Sequence, residues 1–452
     1  MPRLLIVSAH FPPVNTPDMQ RVRMSLPHFV DAGWEVVVLT VADHDPMAPL
    51  EPALLATLPR PVRIVRAPVF SRRWTRWVGI NNLGLRALPF LYETGTRLLT
   101  EQKFDLIYFS TTQFVLCPLG RIWRREFGVP YVIDLQDPWL NEYYQQPGAP
   151  RPPGGWKYLF AYASAKILER WTLRRCAHVI SVSSGYLEVL QRRYPWFTPA
   201  HGSVVTFGAP DADFALVRER LPQVPRLLPR TDTVKIAYAG RLGGDMLPAL
   251  DLLFAAAARL GDDAPVLEFF FYGTSYARAG QGEATTTALA VRHGIAARVH
   301  EFPARIGYLD ALQLLIETDI ALLLGSEDRA YSPSKIYPTL SAGRPTLALA
   351  PRDSVLETRL REIGGASLIT FDPAMRTEAI APLAATLRTL VRREADPAAA
   401  PLDAARLRSS YTAGAVSAQQ LRIFNSILRE LDPVTEPFEV TDYWPDFPGD
   451  RP

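Results

Sequence analysis

A short polar stretch near residue 335 carries the residue types that bind phosphate. It reads Ser332-Pro333-Ser334-Lys335 and lies between two strand-like apolar runs. Ser332 is a favourable N-cap residue, and Pro333 suits the first turn of a helix, where its missing N–H group costs nothing. The free N–H groups of a helix start attract anions, and a hydroxyl and an ammonium add to that attraction. The stretch therefore predicts a diphosphate site with Ser334 and Lys335 in the first helical turn.

A second cation is expected close to this site. Arg241 follows the strand-like run Lys235–Ala239 in a glycine-rich loop. Arginine can hold a phosphate through two N–H groups at once. Most strand–loop–helix units bind nothing, so the interpretation of both loops depends on the rest of the chain.

Polar residues also follow three apolar strands of the amino-terminal half. His10 comes after Leu4–Val7, the triplet Thr111-Thr112-Gln113 ends the strand at 106–110, and Asp137 comes after the strand at 131–135. Ligands of doubly wound sheets bind at such strand ends. Asp134 and Asp137 are either paired for acid–base work or for orienting sugar hydroxyls, or Asp137 only caps the turn at Pro138.

Strands and helices alternate along the chain, which predicts an α/β protein with two Rossmann-like, doubly wound domains. The G-x-G-x-x-G fingerprint of a dinucleotide site is absent from the first βαβ unit. The predicted parts are an amino-terminal domain, a linker, a carboxyl-terminal domain, a closing helix that packs back toward the first domain, and a tail, at 1–217, 218–232, 233–403, 404–430 and 431–452.

Composition indicates a soluble protein of the cytoplasm. Apolar residues make up 48% of the chain and charged residues 21%, with a net charge of +3, so nucleic-acid binding is not implied. The two cysteines, Cys117 and Cys176, favour a reducing compartment. No signal peptide, no membrane-spanning run and no histidine or cysteine cluster is visible, so we expect neither a membrane span nor a metal site.

One segment is strongly basic. Between Glu51 and Glu93 there is no acidic residue, and seven arginines lie with Trp74 and Trp77 among leucines and a phenylalanine over 60–91. This pattern fits a peripheral contact with an anionic membrane surface. It fits equally a solvated basic face over a covered core.

Four stretches together resemble the GT-B glycosyltransferases, most closely the retaining family 4 type. The resemblance spans nearly the whole chain and rests on S-A-H-F-P-P at 8–13, D-L-Q-D-P-W at 134–139, A-G-R-L at 239–242 and P-S-K-I-Y-P-T-L-S-A-G-R-P at 333–345. It implies two domains that face each other across a cleft, with the donor in the second and the acceptor in the first.

The chain departs from the family pattern at three places. Asn15-Thr16-Pro17 stands where the family often has a glycine pair, and no lysine follows Arg241 by a few residues. The family's donor motif often has two glutamates eight residues apart, the second of which grips the nucleotide ribose. That second position is Pro338 here, while Glu327 or Asp328 is available to replace the first glutamate.

The resemblance implies transfer of a sugar from a nucleotide-diphosphate sugar to a glycan or lipid-linked acceptor, with retention and without a metal or other cofactor. The implied donor residues are Arg241, Glu327, Asp328, Ser332, Pro333, Ser334 and Lys335. His10 and Asp137 are the candidate catalytic residues, and Asn15, Thr111, Thr112 and Gln113 are expected on the acceptor side. A non-catalytic scaffold subunit and a sugar-nucleotide epimerase remain as alternatives.

Overall fold

The structure is a computed structural model that describes residues 1–42, 50–75, 77, 79–140, 156–261, 266–275, 284–329, 331 and 334–430. The described residues form two compact units. One contains residues of 1–42, 53–206 and 417–430, and the other contains 50–52 and those of 207–416. The short segment at 50–52 joins the second unit because the Glu51 carboxylate accepts hydrogen bonds from the backbone N–H groups of Tyr308 and Leu309, at 2.6 and 2.9 Å.

The first unit is built on a parallel sheet in the order β3-β2-β1-β4-β5-β6-β7. Its central strands are apolar runs buried on both faces, which is typical of a parallel sheet covered by helices. The order reverses between β1 and β4, so their carboxyl ends bound the expected ligand crevice. The strands are β1 Arg3–Val7, β2 Glu35–Val41, β3 Arg63–Ala67, β4 Leu106–Ser110, β5 Tyr131–Leu135, β6 His178–Ser181 and β7 Gly202–Val204.

Helices cover both faces of this sheet. The first begins at Pro17, whose fixed φ suits the first helical position. The fourth ends at Gly128 with φ of 73°, a left-handed cap that favours glycine. The helices are α1 Pro17–Asp31, α2 Arg72–Thr75, α3 Leu83–Glu101, α4 Pro118–Phe127, α5 Trp156–Leu173 and α6 Ser184–Arg193.

The last helix of the described chain, α15 Ala413–Glu430, belongs to the first unit from residue 417 onward. The ring of Phe424 lies 5.7 Å from that of Phe29, 5.9 Å from that of Trp34 and 5.1 Å from that of Tyr108, measured between ring centroids. Gln420 donates to the Tyr108 hydroxyl at 2.8 Å. The end of the chain therefore completes the core that its beginning starts.

The second unit contains a parallel sheet in the order β10-β9-β8-β11-β12-β13, and the order reverses between β8 and β11. Its strands are β8 Val234–Ala239, β9 Leu267–Tyr272, β10 Val299–Phe302, β11 Ile320–Leu324, β12 Thr346–Pro351 and β13 Ser367–Phe371. Its helices are α7 Asp211–Arg220, α8 Leu247–Ala257, α9 Thr286–Arg292, α10 Tyr308–Glu317, α11 Ile336–Ser341, α12 Val355–Ile363, α13 Ile380–Val391 and α14 Ala404–Tyr411. The two Rossmann-like sheets agree with the predicted fold class.

The division between the units falls after residue 206, earlier than the predicted boundary at 217. Residues 211–220 form α7, which packs against α10 of the second unit. The predicted linker 218–232 is also part of this unit. The backbone N–H groups of Leu227 and Leu228 donate to the Glu317 carboxylate at 2.9 and 3.0 Å, and Leu228 is buried.

The predicted closing helix 404–430 is two helices. Thr412 is extended, with φ of −80° and ψ of 161°, and separates α14 from α15. The break arises because the backbone of Ala209 pairs on both sides of it, accepting from the N–H of Ala413 at 2.9 Å and donating to the carbonyl of Tyr411 at 2.6 Å. Gly208 permits this approach, since a Cβ there would lie 2.9 Å from the Ala413 Cα.

Two local predictions differ from the structure. The strand β3 was not predicted, because an edge strand that carries two arginines lacks a buried apolar run. The helix of the donor stretch begins at Ile336, with Lys335 as its N-cap residue rather than in its first turn. Ser332, Pro333 and the tail at 431–452 lie outside the described residues.

Candidate functional site

The first group of candidate residues lies at the carboxyl ends of β8 and β11, where the second sheet reverses its order. Arg241 follows β8 and makes two parallel bonds to Asp245, Nη1 to Oδ1 and Nη2 to Oδ2, both at 2.9 Å. Burial acts to raise the pKa of Asp245, but hydrogen bonds from Arg241 and Ser326 and the charge of Arg241 hold it below the ordinary value. The Asp245 carboxylate thus fixes the orientation of the Arg241 guanidinium.

Asp245 also joins the two loops of this site. Its Oδ2 accepts a hydrogen bond from the Ser326 hydroxyl at 2.7 Å, and its backbone carbonyl accepts one from the Glu327 N–H at 2.9 Å. The Ser326 hydroxyl in turn accepts from the Asp328 N–H at 3.1 Å. One aspartate therefore positions both the cationic loop after β8 and the acidic loop after β11.

Lys335 brings a second positive group to the same place. Its Nζ lies 2.8 Å from the Tyr238 hydroxyl and 4.2 Å from the centre of the Tyr238 ring. Burial, and then the positive charge of Arg241, lower the pKa of Lys335 to about 7. Gly240 lines this contact with φ of 121°, and a Cβ there would lie 2.4 Å from Nζ, so only glycine leaves room for the lysine.

The other predicted donor residues are placed less fully. Glu327 and Asp328 are exposed beside Asp245, and Ser334 is exposed in the turn before α11. Pro338, which stands at the missing glutamate position, lies inside α11. Arg241, Glu327, Asp328 and Lys335 thus come together through the loops after β8 and β11, whereas the two residues before Ser334 lie outside the described part of the chain.

The second group of candidate residues lies in the first unit, at the carboxyl ends of β1 and β4. His10 follows β1, and its Nδ1 lies 3.1 and 3.2 Å from the two carboxylate oxygens of Asp18. Thr112 follows β4 and donates to the same carboxylate at 3.3 Å. Burial acts to raise the pKa of Asp18, but the charge and hydrogen bond of His10 outweigh it and leave the pKa below its ordinary value. This arrangement orients the imidazole through a buried carboxylate.

Asp137 follows β5 and is the accessible carboxylate of this group. Burial of the carboxylate, and then the negative charge of Asp18, raise the pKa of Asp137 to about 6. The residue is still exposed to solvent. A carboxylate with this pKa is ionised at neutral pH and can take up a proton there.

Asp134 and Asp137 are not a catalytic pair. Asp134 is fully buried, lies 3.0 Å from Arg21 Nε, and accepts from the Ser110 hydroxyl at 2.8 Å and the Tyr108 hydroxyl at 3.0 Å. Arg21 also donates to the carbonyl of Val205 at 2.9 Å. Asp134 therefore holds β4, β5 and α1 together, and only Asp137 of the D-L-Q-D stretch remains available for chemistry.

Three of the predicted acceptor-side residues have structural bonds. Asn15 is buried and accepts from Gln20 at 3.2 Å. Thr111 is buried and accepts from the N–H of Gln113, whose side chain accepts from the N–H of Gly84 at 3.1 Å. Thr112 alone of this loop bonds to Asp18, the carboxylate that orients His10.

Sequence reasoning missed Asp18, Tyr238, Asp245 and Ser326 as members of these sites. Asp245 was detectable only as an acidic residue close to Arg241 in the same loop. Asp18 gave a weaker signal as the acidic residue in the first turn of α1. Tyr238 gave none, since a tyrosine on a buried strand normally indicates only core.

Over the described ranges, no group of three or more histidine, cysteine or acidic side chains could hold a metal ion. None of the helices in the described parts is long and apolar enough to cross a membrane.

Comparison with known proteins identifies the amino-terminal part of the chain. The family model described as a glycosyl transferase 4-like domain matches residues 20–208. No curated protein matches the chain significantly.

Solved structures show the fold of both units. The chain is similar to sucrose-phosphate synthase from Thermosynechococcus elongatus, with 17% identity, a TM-score of 0.61, and coverage of 95% of this chain and 100% of that chain. It is also similar to HepE of Anabaena in complex with UDP and glucose, with 14% identity, a TM-score of 0.56, and coverage of 94% and 100%. A putative UDP-N-acetylglucosamine 2-epimerase from Listeria monocytogenes matches with 12% identity, a TM-score of 0.52, and coverage of 97% and 99%.

The epimerase match means that the fold by itself does not separate sugar transfer from epimerisation. The family model favours sugar transfer, because it describes a glycosyl transferase 4-like domain over residues 20–208. Residues 20–208 match the model of a glycosyl transferase 4-like domain, and the two units together have the GT-B fold.

Proposed function

We propose that this glycosyltransferase moves a sugar from a nucleotide-diphosphate sugar to a glycan or lipid-linked acceptor, without a metal ion and with retention at the anomeric carbon. The observation that supports the proposal is the proximity of Arg241 and Lys335 at the order reversal of the second sheet, where the Tyr238 hydroxyl accepts from Lys335 Nζ and donates to the Arg241 carbonyl. Two cations at the carboxyl ends of adjacent strands suit a diphosphate, which in a metal-free site needs protein charges to offset its own.

The donor diphosphate binds to Arg241 and Lys335 in this proposal. The Asp245 carboxylate fixes the orientation of the Arg241 guanidinium, and the Tyr238 hydroxyl keeps the lysine amine in place. Glu327 and Asp328 are exposed beside this pair and bind hydroxyl groups of the sugar. The same two cations then stabilise the negative charge that develops on the leaving diphosphate.

Transfer requires that the bond between the anomeric carbon and the diphosphate oxygen breaks and that an acceptor oxygen bonds to that carbon. The nucleoside diphosphate leaves with the electron pair. The acceptor proton passes to the leaving phosphate, and ionised Asp137 or the His10–Asp18 pair assists its removal. Thr112 bonds to Asp18 and therefore stabilises the orientation of this pair.

The proposed location is the cytoplasmic side of a membrane, with a peripheral contact through residues 60–91. Support comes from the basic composition of that segment and from two tryptophans there that the core does not cover. A lipid-linked acceptor is consistent with such a contact.

The test is a thermal-shift and calorimetric screen of nucleotide-diphosphate sugars with a chelator present. A hundredfold excess of ligand over its dissociation constant raises stability by about 2.7 kcal/mol, a readily measured shift. Lys335→Ala and Arg241→Ala should each weaken donor binding by on the order of 1.5–3 kcal/mol, the scale of a hydrogen bond to a charged group. Lys103→Ala, at an exposed lysine of the first unit, is the matched control and should leave binding unchanged.

The outcomes separate the parts of the proposal. Unchanged donor affinity in both site variants would refute the donor site. Binding that appears only after a divalent ion is added would refute metal independence. Retention is decided by the anomeric configuration of the product, read by proton NMR before it equilibrates.

A further inference from the structure

Two aromatic rings stack at the edge of the first unit that carries its acid–base residues. Phe114 follows β4 and Trp139 follows β5, and their ring centroids lie 5.4 Å apart with the ring planes inclined by 14°. Strands β4 and β5 are parallel neighbours, so both residues follow the sheet at the same carboxyl edge. Both residues are only half-buried. The stacked pair is therefore a partly exposed aromatic surface beside the candidate catalytic residues.

The loop after β4 is held in place by the start of α3. Phe114 begins the short 3₁₀ helix Phe114–Leu116 in this loop. The side-chain oxygen of Gln113 accepts from the N–H of Gly84 at 3.1 Å. A Cβ on Gly84 would lie 2.6 Å from Val115 Cγ1, so a glycine lets the helix approach the loop this closely. The position of the Phe114 ring is therefore set by the fold.

The same two loops carry acid–base residues. Asp137 is exposed and stands two residues before the tryptophan. Thr112 stands two residues before the phenylalanine and donates to the Asp18 carboxylate at 3.3 Å. The Gln136 amide, between β5 and Asp137, donates to the Asp18 carbonyl at 2.9 Å and so joins the second loop to α1. The aromatic pair therefore lies next to the acid–base residues along both loops.

Polar groups for a ligand accompany the rings. The oxygen of Gln113 is used by the Gly84 N–H, and within the described chain its amide nitrogen makes no hydrogen bond, so it is a donor for a ligand hydroxyl. An ionised Asp137 accepts hydrogen bonds from hydroxyl groups. Small-molecule sites combine aromatic surface with a few placed polar groups. A pyranose matches this pattern, because C–H groups cover its ring faces and hydroxyl groups surround its rim.

We propose that Trp139 and Phe114 form an acceptor platform, on which a pyranose ring of a saccharide stacks with one hydroxyl group directed at Asp137. The inference rests on the proposed function and narrows its acceptor to the end of a saccharide, whether or not a lipid carries that saccharide. A bare lipid phosphate is the poorer acceptor for this platform. The described stretches 111–117 and 136–140 contain no lysine, arginine or histidine that would offset its charge.

The alternative is that the pair only closes the edge of the core, because both rings also pack against it. A second stacked pair of the first unit allows the two roles to be compared. The ring centroids of Tyr194 and Trp196 lie 5.2 Å apart, with the planes inclined by 17°. This pair lies between α6 and β7, at the opposite edge of the sheet. A substitution at Trp196 is therefore the matched control for one at Trp139.

The experiment is saturation-transfer difference NMR of the full-length protein with a panel of methyl pyranosides. The panel contains both anomers of the methyl glycosides of glucose, galactose, mannose, rhamnose and N-acetylglucosamine, and decyl phosphate serves as the lipid-phosphate probe. Saturation should reach the ring C–H protons of at least one glycoside. Any signal from decyl phosphate should be the same in Trp139→Leu as in the unchanged protein.

The variants separate stacking from core packing. Trp139→Leu should weaken binding of that glycoside by about tenfold, near the upper scale of an aromatic contact. Trp139→Phe keeps a ring and should bind it within about threefold of the unchanged protein. Trp196→Leu should bind it as the unchanged protein does.

Three results would overturn the inference. They are no saturation transfer to any glycoside, equal glycoside binding by Trp139→Leu and the unchanged protein, and equal losses in Trp139→Leu and Trp196→Leu. Failure of the donor site is distinguishable, because Lys335→Ala should keep glycoside binding while losing donor affinity, and Trp139→Leu should do the reverse.

Discussion

Donor binding should weaken as the pH rises through neutrality, because it depends on the protonation of Lys335. The pKa of this amine is about 7, lowered by burial and by Arg241. About nine-tenths of the amine is then protonated at pH 6 and about one-tenth at pH 8. A bound diphosphate places negative charge beside the amine and returns its pKa toward the ordinary value.

The expected loss of affinity between pH 6 and pH 8 is about tenfold, which corresponds to about 1.4 kcal/mol. Binding at pH 8 should also take up about nine-tenths of a proton, against about one-tenth at pH 6. Calorimetry in two buffers of different ionisation enthalpy measures both quantities. The ligand should be a nucleotide sugar, because its diphosphate diester has no ionisation in this range, whereas a free nucleoside diphosphate does.

Two variants isolate the lysine. Lys335→Met keeps an unbranched apolar stem without the amine and should bind the donor weakly at every pH, with no dependence on pH. Asp137→Asn should keep the full slope, which excludes the carboxylate whose pKa of about 6 also falls in this range. A flat profile for the unchanged protein, or a wild-type slope in Lys335→Met, would refute the reasoning.

Three further predictions concern neighbouring groups. Asp245→Asn should weaken donor binding by about fivefold, on the scale of one hydrogen bond, because the orientation of Arg241 is no longer fixed. Unchanged affinity in calorimetry would show that Asp245 only joins the two loops. The transfer rate at saturating substrate should rise with pH through about 6, because the raised pKa of Asp137 places its ionisation there. Asp137→Asn should remove this rise of the rate with pH. Arg21→Met should lower the free energy of unfolding in urea by on the order of 3–5 kcal/mol, because Asp134 is left charged and buried; a loss below about 1 kcal/mol would contradict the assigned ion pair.

The strands were largely predictable because strands that are buried on both faces of a parallel sheet consist of continuous apolar runs. Leu106–Ser110, Tyr131–Leu135 and Ile320–Leu324 have the predicted bounds. The failures are elements without that signal. β3 is an edge strand with arginines, and α7 begins with two aspartates that indicate a turn as much as a helix start.

The sites were predictable only as far as loops at strand ends define them. Arg241 and Lys335 were expected together, and they are. The sequence did not distinguish Asp134 from Asp137, because burial decides their roles and depends on Arg21, more than a hundred residues away. The contact of Asp245 with the loop after β11 likewise depends on the pairing of β8 with β11, which the local sequence does not show.

The discontinuity of the first unit has a consequence for the order of events during synthesis. Residues 1–206 leave the ribosome exit tunnel long before residues 417–430. Until Phe424 emerges, the rings of Phe29, Trp34 and Tyr108 lack the ring that packs against all three in the folded protein. Nascent chains therefore leave these three aromatic rings accessible to chaperones while the whole second unit is being translated. For the same reason, any gene rearrangement that transplants the first unit must carry two separate segments, since no single cut releases it intact.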